Sequence, residues 1–197
     1  MALFIKNGRV VDPFSDIDGL LDVLVENGKV KEVGKNLKVG ASVDAIDAKG
    51  LIVVPGLIDI HTHLREPGHE YKETIESGCR AAAWGGFSAV CCMPNPNPGN
   101  DSRQVTEYIR TRAEQLKLVR VFPVAAISKG IEGKTRCDYE TLKQAGAVAV
   151  SDDGNPVMNS GMMRDAMEAA RDVGLKVISH CEDFSLAADG AMHEGTV

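Results

Sequence analysis

The sequence contains few cysteines, and they follow no recognisable pattern. Cys79, Cys91, Cys92, Cys137 and Cys181 form no C-x-x-C pair and no even-numbered framework. A disulfide scaffold or a thiol-based zinc finger is therefore not expected. The pattern indicates reduced thiols, as in a cytosolic protein.

Positive charge is not in excess either. Lysine and arginine number 22 against 28 aspartate and glutamate residues, which gives a net charge of -6 and a pI near 5.4. Because nucleic-acid-binding proteins typically carry basic patches, this balance argues against a nucleic-acid partner.

Long apolar runs are missing as well. No run approaches the roughly 18 apolar residues of a membrane span, and the start MALFIKNGRV lacks the apolar core of a signal peptide. The 197 residues are 44% hydrophobic, enough for one good core and a second small one. We therefore expect a soluble, cytoplasmic protein without a membrane partner.

The first 54 residues predict a small all-β unit. Residues 3–12 (LFIKNGRVVD) and 22–34 (DVLVENGKVKEVG) each place Asn-Gly between two β-rich runs. Asn-Gly favours a hairpin, since both central positions of a type I′ turn need positive φ. Residues 50–54 (GLIVV) are a further strand candidate.

From Pro55 onward, strands alternate with helices. The predicted strands are GLIDIH (56–61), GFSAVCCM (86–93), VRVFPVAAI (119–127), AVAVS (147–151) and LKVISH (175–180). We place the second domain at 55–197, and its units of roughly 29 residues have the size of parallel βαβ repeats.

Four helices are predicted between these strands. The first covers 71–84, the second is capped by Asp101, and the third runs from its cap Asp138 to Gly146. The fourth covers 160–173 and ends at Gly174, with Met163, Met167, Ala170 and Val173 facing inward.

Two architectures accommodate this alternation: a doubly wound open sheet and a (β/α)8 barrel. No G-x-G-x-x-G follows the first strand, which disfavours a dinucleotide-binding open sheet. A barrel needs eight strands, and only about five are predicted here. The barrel interpretation therefore implies that this chain is part of a longer protein.

Polar residues follow the predicted strands at their carboxyl ends, where parallel α/β proteins gather functional groups. His61 and His63 are two residues apart and share one face of their strand. Asn95, Asp153 beside Asp152, and His180 follow later strands. Histidines with a carboxylate are the ligand set of a hydrolytic zinc site.

Each feature also has an ordinary structural interpretation. SDDG is typical of a turn, and PNPNPGND of a loop. Alone, Arg65 is surface charge and His180 is a polar group with its hydrogen bonds satisfied. We expect Cys181 to pack against the barrel wall, although a thiolate beside His180 is also a metal ligand type.

Four motifs together resemble a known family. VVPGLIDIHTHLREPG, CCMPNPNP, SDDGNPV and ISHCED are similar, in order and spacing, to the class I bacterial dihydroorotases of the amidohydrolase superfamily. The resemblance implies a metal-dependent (β/α)8 barrel joined to a small β-sandwich built from both chain ends. Residues 1–54 are then the N-terminal part of that sandwich.

The resemblance also implies an activity. These enzymes use zinc, one or two ions per subunit, to interconvert (S)-dihydroorotate and N-carbamoyl-L-aspartate in pyrimidine biosynthesis. His61 and His63 resemble ligands of the first zinc, Asp153 the bridging carboxylate and His180 a ligand of the second. A homo-oligomer and an aspartate carbamoyltransferase partner are further implications.

Arg65 and Asn95, with His63 nearby, resemble the groups that hold the substrate carboxylate. A guanidinium fork suits a carboxylate, so Arg65 favours an acid over the neutral rings of hydantoinase-like or allantoinase-like relatives. A non-catalytic scaffold for a carbamoyltransferase is a second alternative, against which the retained ligands argue.

Two departures from the family pattern stand out. Pro96 replaces the usual threonine of MPNTNP, which we expect to shift the loop that carries Asn95. The remaining barrel strands, a third metal histidine and the aspartate that acts as general acid/base are expected beyond Val197. We therefore expect residues 1–197 alone to be inactive.

Overall fold

The computed structural model describes residues 2–40, 42–187 and 190. The chain divides into two compact units, Met1–Gly56 and Leu57–Val197. Among the described residues, no helix combines the length and the apolar character that a membrane crossing requires.

The first unit is a mixed sheet of five strands. They are β1 (Ala2–Asp12), β2 (Ile17–Glu26), β3 (Lys29–Gly34), β4 (Asp44–Asp47) and β5 (Ile52–Val53). The order is β3-β2-β1-β4, and β5 also pairs with β1. The first three strands are antiparallel, whereas β4 and β5 run parallel to β1.

The two Asn-Gly pairs behave differently. Asn27 and Gly28 both have positive φ and form the predicted turn between β2 and β3. The hairpin predicted at Asn7-Gly8 is wrong: β1 continues through it with a β-bulge, and Asn7 has φ 64°. A Cβ on Gly8 would lie 2.6 Å from Val53 Cγ2, so glycine is needed there for the contact with β5.

The second unit contains a parallel sheet of five strands in the order β10-β9-β8-β7-β6. Its strands are β6 (Leu57–Thr62), β7 (Phe87–Cys92), β8 (Arg120–Ala126), β9 (Ala149–Ser151) and β10 (Lys176–Ile178). All five predicted strands are confirmed, and their carboxyl ends share one edge.

The helices are α1 (Ile75–Trp84), α2 (Arg103–Leu116), α3 (Tyr139–Ala145), α4 (Ser160–Val173) and a short α5 (Phe184–Ala187), with a 3₁₀ turn at Lys129–Ile131. Asp138 caps α3 and glycines end α3 and α4, as predicted. α1 begins later than expected because Thr74 and Ser77 form a capping box. Asp101 does not cap α2; its carboxylate accepts a hydrogen bond from Gly130 N instead.

The helices bury narrow faces against the sheet. α1 and α2 pack on β7 and β8 through residues such as Ile75, Cys79 and Ile109. On α4 the buried residues are Ala166 and Ala170, whereas Met167 is 57% exposed. The prediction that Met167 faces inward is wrong: the alanines of α4 are buried, and Met163 and Val173 pack partly against the same core.

Candidate metal centre

His61 and His63 begin the polar edge at the carboxyl end of β6. His61 lies within the strand and His63 follows it, two positions further on. Their rings meet edge to face with centroids 5.3 Å apart. The strand period of two therefore brings both imidazoles to one place, as the sequence predicts.

Asp153 lies between these imidazoles and the next histidine. Its Oδ1 is 3.4 Å from His61 Nε2, and its Oδ2 is 3.6 Å from His63 Nε2. One ligand atom from each of the three residues lies within 4.8 Å of the other two. Two imidazole nitrogens and a carboxylate oxygen at this spacing fit a zinc ion by donor chemistry.

His180 approaches the same carboxylate from the other side. It lies two residues beyond β10, and its Nδ1 is 3.7 Å from Asp153 Oδ1. It is not part of the compact three-residue cluster. His61 and His180 therefore face Asp153 Oδ1, whereas His63 faces Oδ2.

Two acceptors fix which ring nitrogens carry protons. Asn95 Oδ1 is 2.9 Å from His63 Nδ1, and Glu182 Oε2 is 3.0 Å from His180 Nε2. Since these oxygens only accept, the facing nitrogens donate, and His63 Nε2 and His180 Nδ1 are turned toward Asp153. Such contacts orient metal-binding histidines in many proteins.

Asn95 contacts the ligand cluster rather than open solvent. Its Nδ2 donates to Asp153 Oδ2 at 3.0 Å, while its oxygen binds His63. Pro96 does not keep Asn95 from this position. The loop is fixed to the preceding one, because Asn97 N donates to Pro67 O and a Cβ on Gly68 would lie 1.9 Å from Asn97 O.

Arg65 lies on the loop that follows His63 and is half-buried. Its backbone has φ 59°, in the left-handed region that few non-glycine residues adopt. In the part of the chain that the structure describes, no carboxylate forms an ion pair with its guanidinium.

Asp152, next to Asp153, has a different role. It is 1% exposed, and Oδ1 accepts hydrogen bonds from Ile127 N at 2.8 Å and Ser128 N at 3.0 Å. Ser128 Oγ donates to its Oδ2. Burial raises the pKa of its carboxyl group, against the effect of these donors. The sequence did not distinguish this anchoring aspartate from its neighbour.

The cysteines do not contribute a ligand to the cluster. Burial raises the pKa of Cys92 to about 11, which keeps that thiol protonated. Cys181 is exposed, so the prediction that it packs against a barrel wall is wrong. Its sulfur contacts Ser179 O instead.

Solved structures of similar fold include several hydantoinases. The L-hydantoinase (dihydropyrimidinase) from Arthrobacter aurescens has a TM-score of 0.78 at 24% identity, over 92% of this chain and 41% of that one. The D-hydantoinase from a Thermus species has a TM-score of 0.72 at 26% identity, over 95% and 42%. The second unit thus has the α/β fold of the amidohydrolase barrels, and the predicted fold class is confirmed.

Curated relatives narrow the class to one family. The proteins named dihydroorotase from Geobacter metallireducens and Geobacter sulfurreducens are each 55% identical over the whole chain, and that of Syntrophus aciditrophicus is 52% identical. The chain spans 46% of the length of each. The dihydro-orotase-like family model matches residues 50–197. The chain belongs to the dihydro-orotase-like family, as its four motifs predicted.

Proposed function

We propose that the natural gene product containing these residues is a cytoplasmic dihydroorotase, which reversibly hydrolyses (S)-dihydroorotate to N-carbamoyl-L-aspartate. One observation carries the proposal. Three residues spaced to bind a metal, and an arginine that forms no ion pair with a described residue, lie at the same edge of the sheet. The chain that contains them is 52–55% identical to proteins named dihydroorotase.

The metal assignment follows the geometry. His61 and His63 are the proposed ligands of a first zinc ion, Asp153 the bridging ligand and His180 a ligand of a second. The contacts of Asp153 with all three histidines, at 3.4 Å to 3.7 Å, support a place for its carboxylate among the shared ligands. Zinc bound there supplies Lewis-acid activation of water and of the amide carbonyl.

The chain's own groups provide orientation and charge. Asn95 holds the His63 ring with its Nε2 toward Asp153. Arg65 supplies a planar fork of donors that matches a carboxylate with two parallel hydrogen bonds. Dihydroorotate carries a carboxylate on its ring, so the Arg65 charge selects it over rings that lack one.

The alternatives predict different behaviour. Hydantoinases share the fold, but hydrolysis of a ring without a carboxylate gives no role to Arg65. A non-catalytic scaffold for aspartate carbamoyltransferase has no need of the ligand cluster. That carbamoyltransferase and a second copy of the chain remain proposed partners on the family resemblance alone.

Ring hydrolysis by the purified natural gene product tests the proposal. We expect turnover of dihydroorotate and negligible turnover of hydantoin or allantoin, which lack the carboxylate. Arg65→Lys keeps the charge but loses the fork, so KM for dihydroorotate should rise about tenfold with zinc content unchanged. Preferred hydrolysis of hydantoin would support the hydantoinase alternative, and a protein that turns over none of the three rings would support the scaffold.

A further inference from the structure

The backbone at Arg65 forms a tight turn. Glu66 N donates to Leu64 O at 2.7 Å, which closes a γ-turn around Arg65 at φ 59°. γ-turns with positive φ at the central residue are rare and strained, and such conformations persist only where the surroundings enforce them. Contacts of neighbouring residues must therefore hold Arg65 in this conformation.

Both neighbours of Arg65 are buried. Leu64 is 3% exposed and Glu66 is 7% exposed. Leu64 packs closely on α1, where a Cβ on Gly78 would lie 2.5 Å from Leu64 Cδ2. The turn thus presents only Arg65, between two side chains that point into the protein.

The buried carboxylate of Glu66 binds two different helices. Its Oε2 accepts from Ile75 N, the first residue of α1, at 2.8 Å. Its Oε1 accepts from Tyr108 Oη on α2 at 2.6 Å, with Arg112 Nε 3.8 Å away. The Thr74 side chain accepts from Ser77 N, so Glu66 binds a different amide of the first turn of α1.

We propose that Glu66 is the positioning residue of Arg65: its bonds to α1 and to Tyr108 hold the strained turn and direct the guanidinium to the bound substrate carboxylate. This rests on the proposed function, in which Arg65 binds that carboxylate. A buried carboxylate costs free energy unless it is fully paired, and here the pairing fixes a loop next to the metal cluster.

Steady-state kinetics of the zinc-loaded natural gene product test this. Tyr108→Phe removes one donor to Glu66 and keeps the ring, and Tyr108 is 43% exposed, so the variant should fold. We expect KM for dihydroorotate to rise about threefold to tenfold, with kcat within about twofold and zinc content unchanged. Glu66→Gln should shift KM in the same direction. Tyr71→Phe is the matched control, since no described residue hydrogen-bonds the Tyr71 hydroxyl.

The double variant separates positioning from general damage. If Glu66 acts through Arg65, Tyr108→Phe should have no further effect on KM in an Arg65→Ala background. Equal effects in both backgrounds, or no effect of Tyr108→Phe on the native background, would overturn the inference while the proposed function stands. An unchanged KM in Arg65→Ala itself would instead contradict the carboxylate-binding role on which the proposed function depends.

Discussion

The histidines at the carboxyl edge of the parallel sheet differ in exposure and in hydrogen bonding from the buried carboxylates of Glu66 and Asp152, which lie behind that edge. At the edge, the imidazoles of His61, His63 and His180 are 29% to 47% exposed and lie 3.4 Å to 3.7 Å from the Asp153 oxygens, beyond hydrogen-bond length. Behind it, Glu66 and Asp152 are buried and accept backbone hydrogen bonds of 2.8 Å to 3.0 Å.

This difference indicates that the two sets of residues have different roles. Asn95 bonds His63 and Asp153, but the histidines and Asp153 do not hold one another directly, so their positions depend largely on the loops that carry them. The buried carboxylates fix those loops to helices and neighbouring strands. Substitutions at the edge should therefore change chemistry at little cost in stability, and substitutions behind it should do the opposite.

The largest effect is expected at the edge. His61→Ala removes a proposed zinc ligand, so the natural gene product should lose zinc on dialysis and activity by roughly 10³-fold or more, since the metal supplies several kcal/mol of transition-state stabilisation. Metal analysis and turnover measure this. His69→Ala, in the loop that follows Arg65, is the control and should keep both. Unchanged zinc content in His61→Ala would exclude it as a ligand.

The adjacent aspartates test the division within a single motif. Asp152→Ala leaves the Ser128 amide and hydroxyl without their acceptor, whereas Ile127 N keeps Ser151 O, so the free energy of unfolding should fall by about 3 kcal/mol. Asp153→Ala should change it by less than about 1 kcal/mol in metal-free protein, yet abolish zinc binding. Urea unfolding of the two variants after chelation measures both changes in the free energy of unfolding. A larger stability loss in Asp153→Ala would contradict the comparison.

The edge was predictable from sequence, and the layer behind it was not. His-x-His at a strand end, SDDG and ISHCED locate His61, His63, Asp153 and His180 because parallel strands all bring their carboxyl ends to one edge. Nothing local separates Asp152 from Asp153. Which of them turns inward depends on the Ile127 and Ser128 amides, 25 and 24 residues away in sequence.

Contacts between residues far apart in sequence also explain the other differences from the sequence predictions. Asn7-Gly8 has the hairpin signature, but its pairing is decided by β4 and β5, which come much later in the chain. Glu66 lies in a stretch that resembles a surface loop, and its partners Tyr108 and Arg112 are on α2. Local periodicity predicted the elements, whereas long-range partners decided which polar groups are buried.

A smaller effect is expected at Glu182, whose side chain hydrogen-bonds His180. Glu182 accepts from His180 Nε2 and so favours the tautomer that presents Nδ1 to Asp153. Glu182→Ala should weaken zinc binding about tenfold in competition with a chelator. Glu182→Gln keeps an acceptor oxygen and should recover most of the affinity, and Glu114→Ala, on the exposed side of α2, should have no effect. Equal zinc affinity in Glu182→Ala and the native protein would contradict this support.

The smallest expected effect is a change in the titration of Tyr108, whose hydroxyl donates to the buried Glu66. The hydrogen bond to Glu66 raises the pKa of Tyr108 to about 12 from its ordinary value of 10.0. The folded protein retains this proton longer than the unfolded chain, so the contribution of Tyr108 to stability is complete below pH 10.0 and declines as pH rises toward about 12. Glu66→Gln replaces the charged acceptor of this hydrogen bond by a weaker neutral one and should lower the pKa toward 10.0. Phenolate absorbance, taken as a difference from Tyr108→Phe, isolates this group from the other tyrosines. A Tyr108 titration that is the same with glutamate and glutamine at position 66 would show that the charged Glu66 acceptor does not cause the shift, and the anchoring of Arg65 would then need another cause.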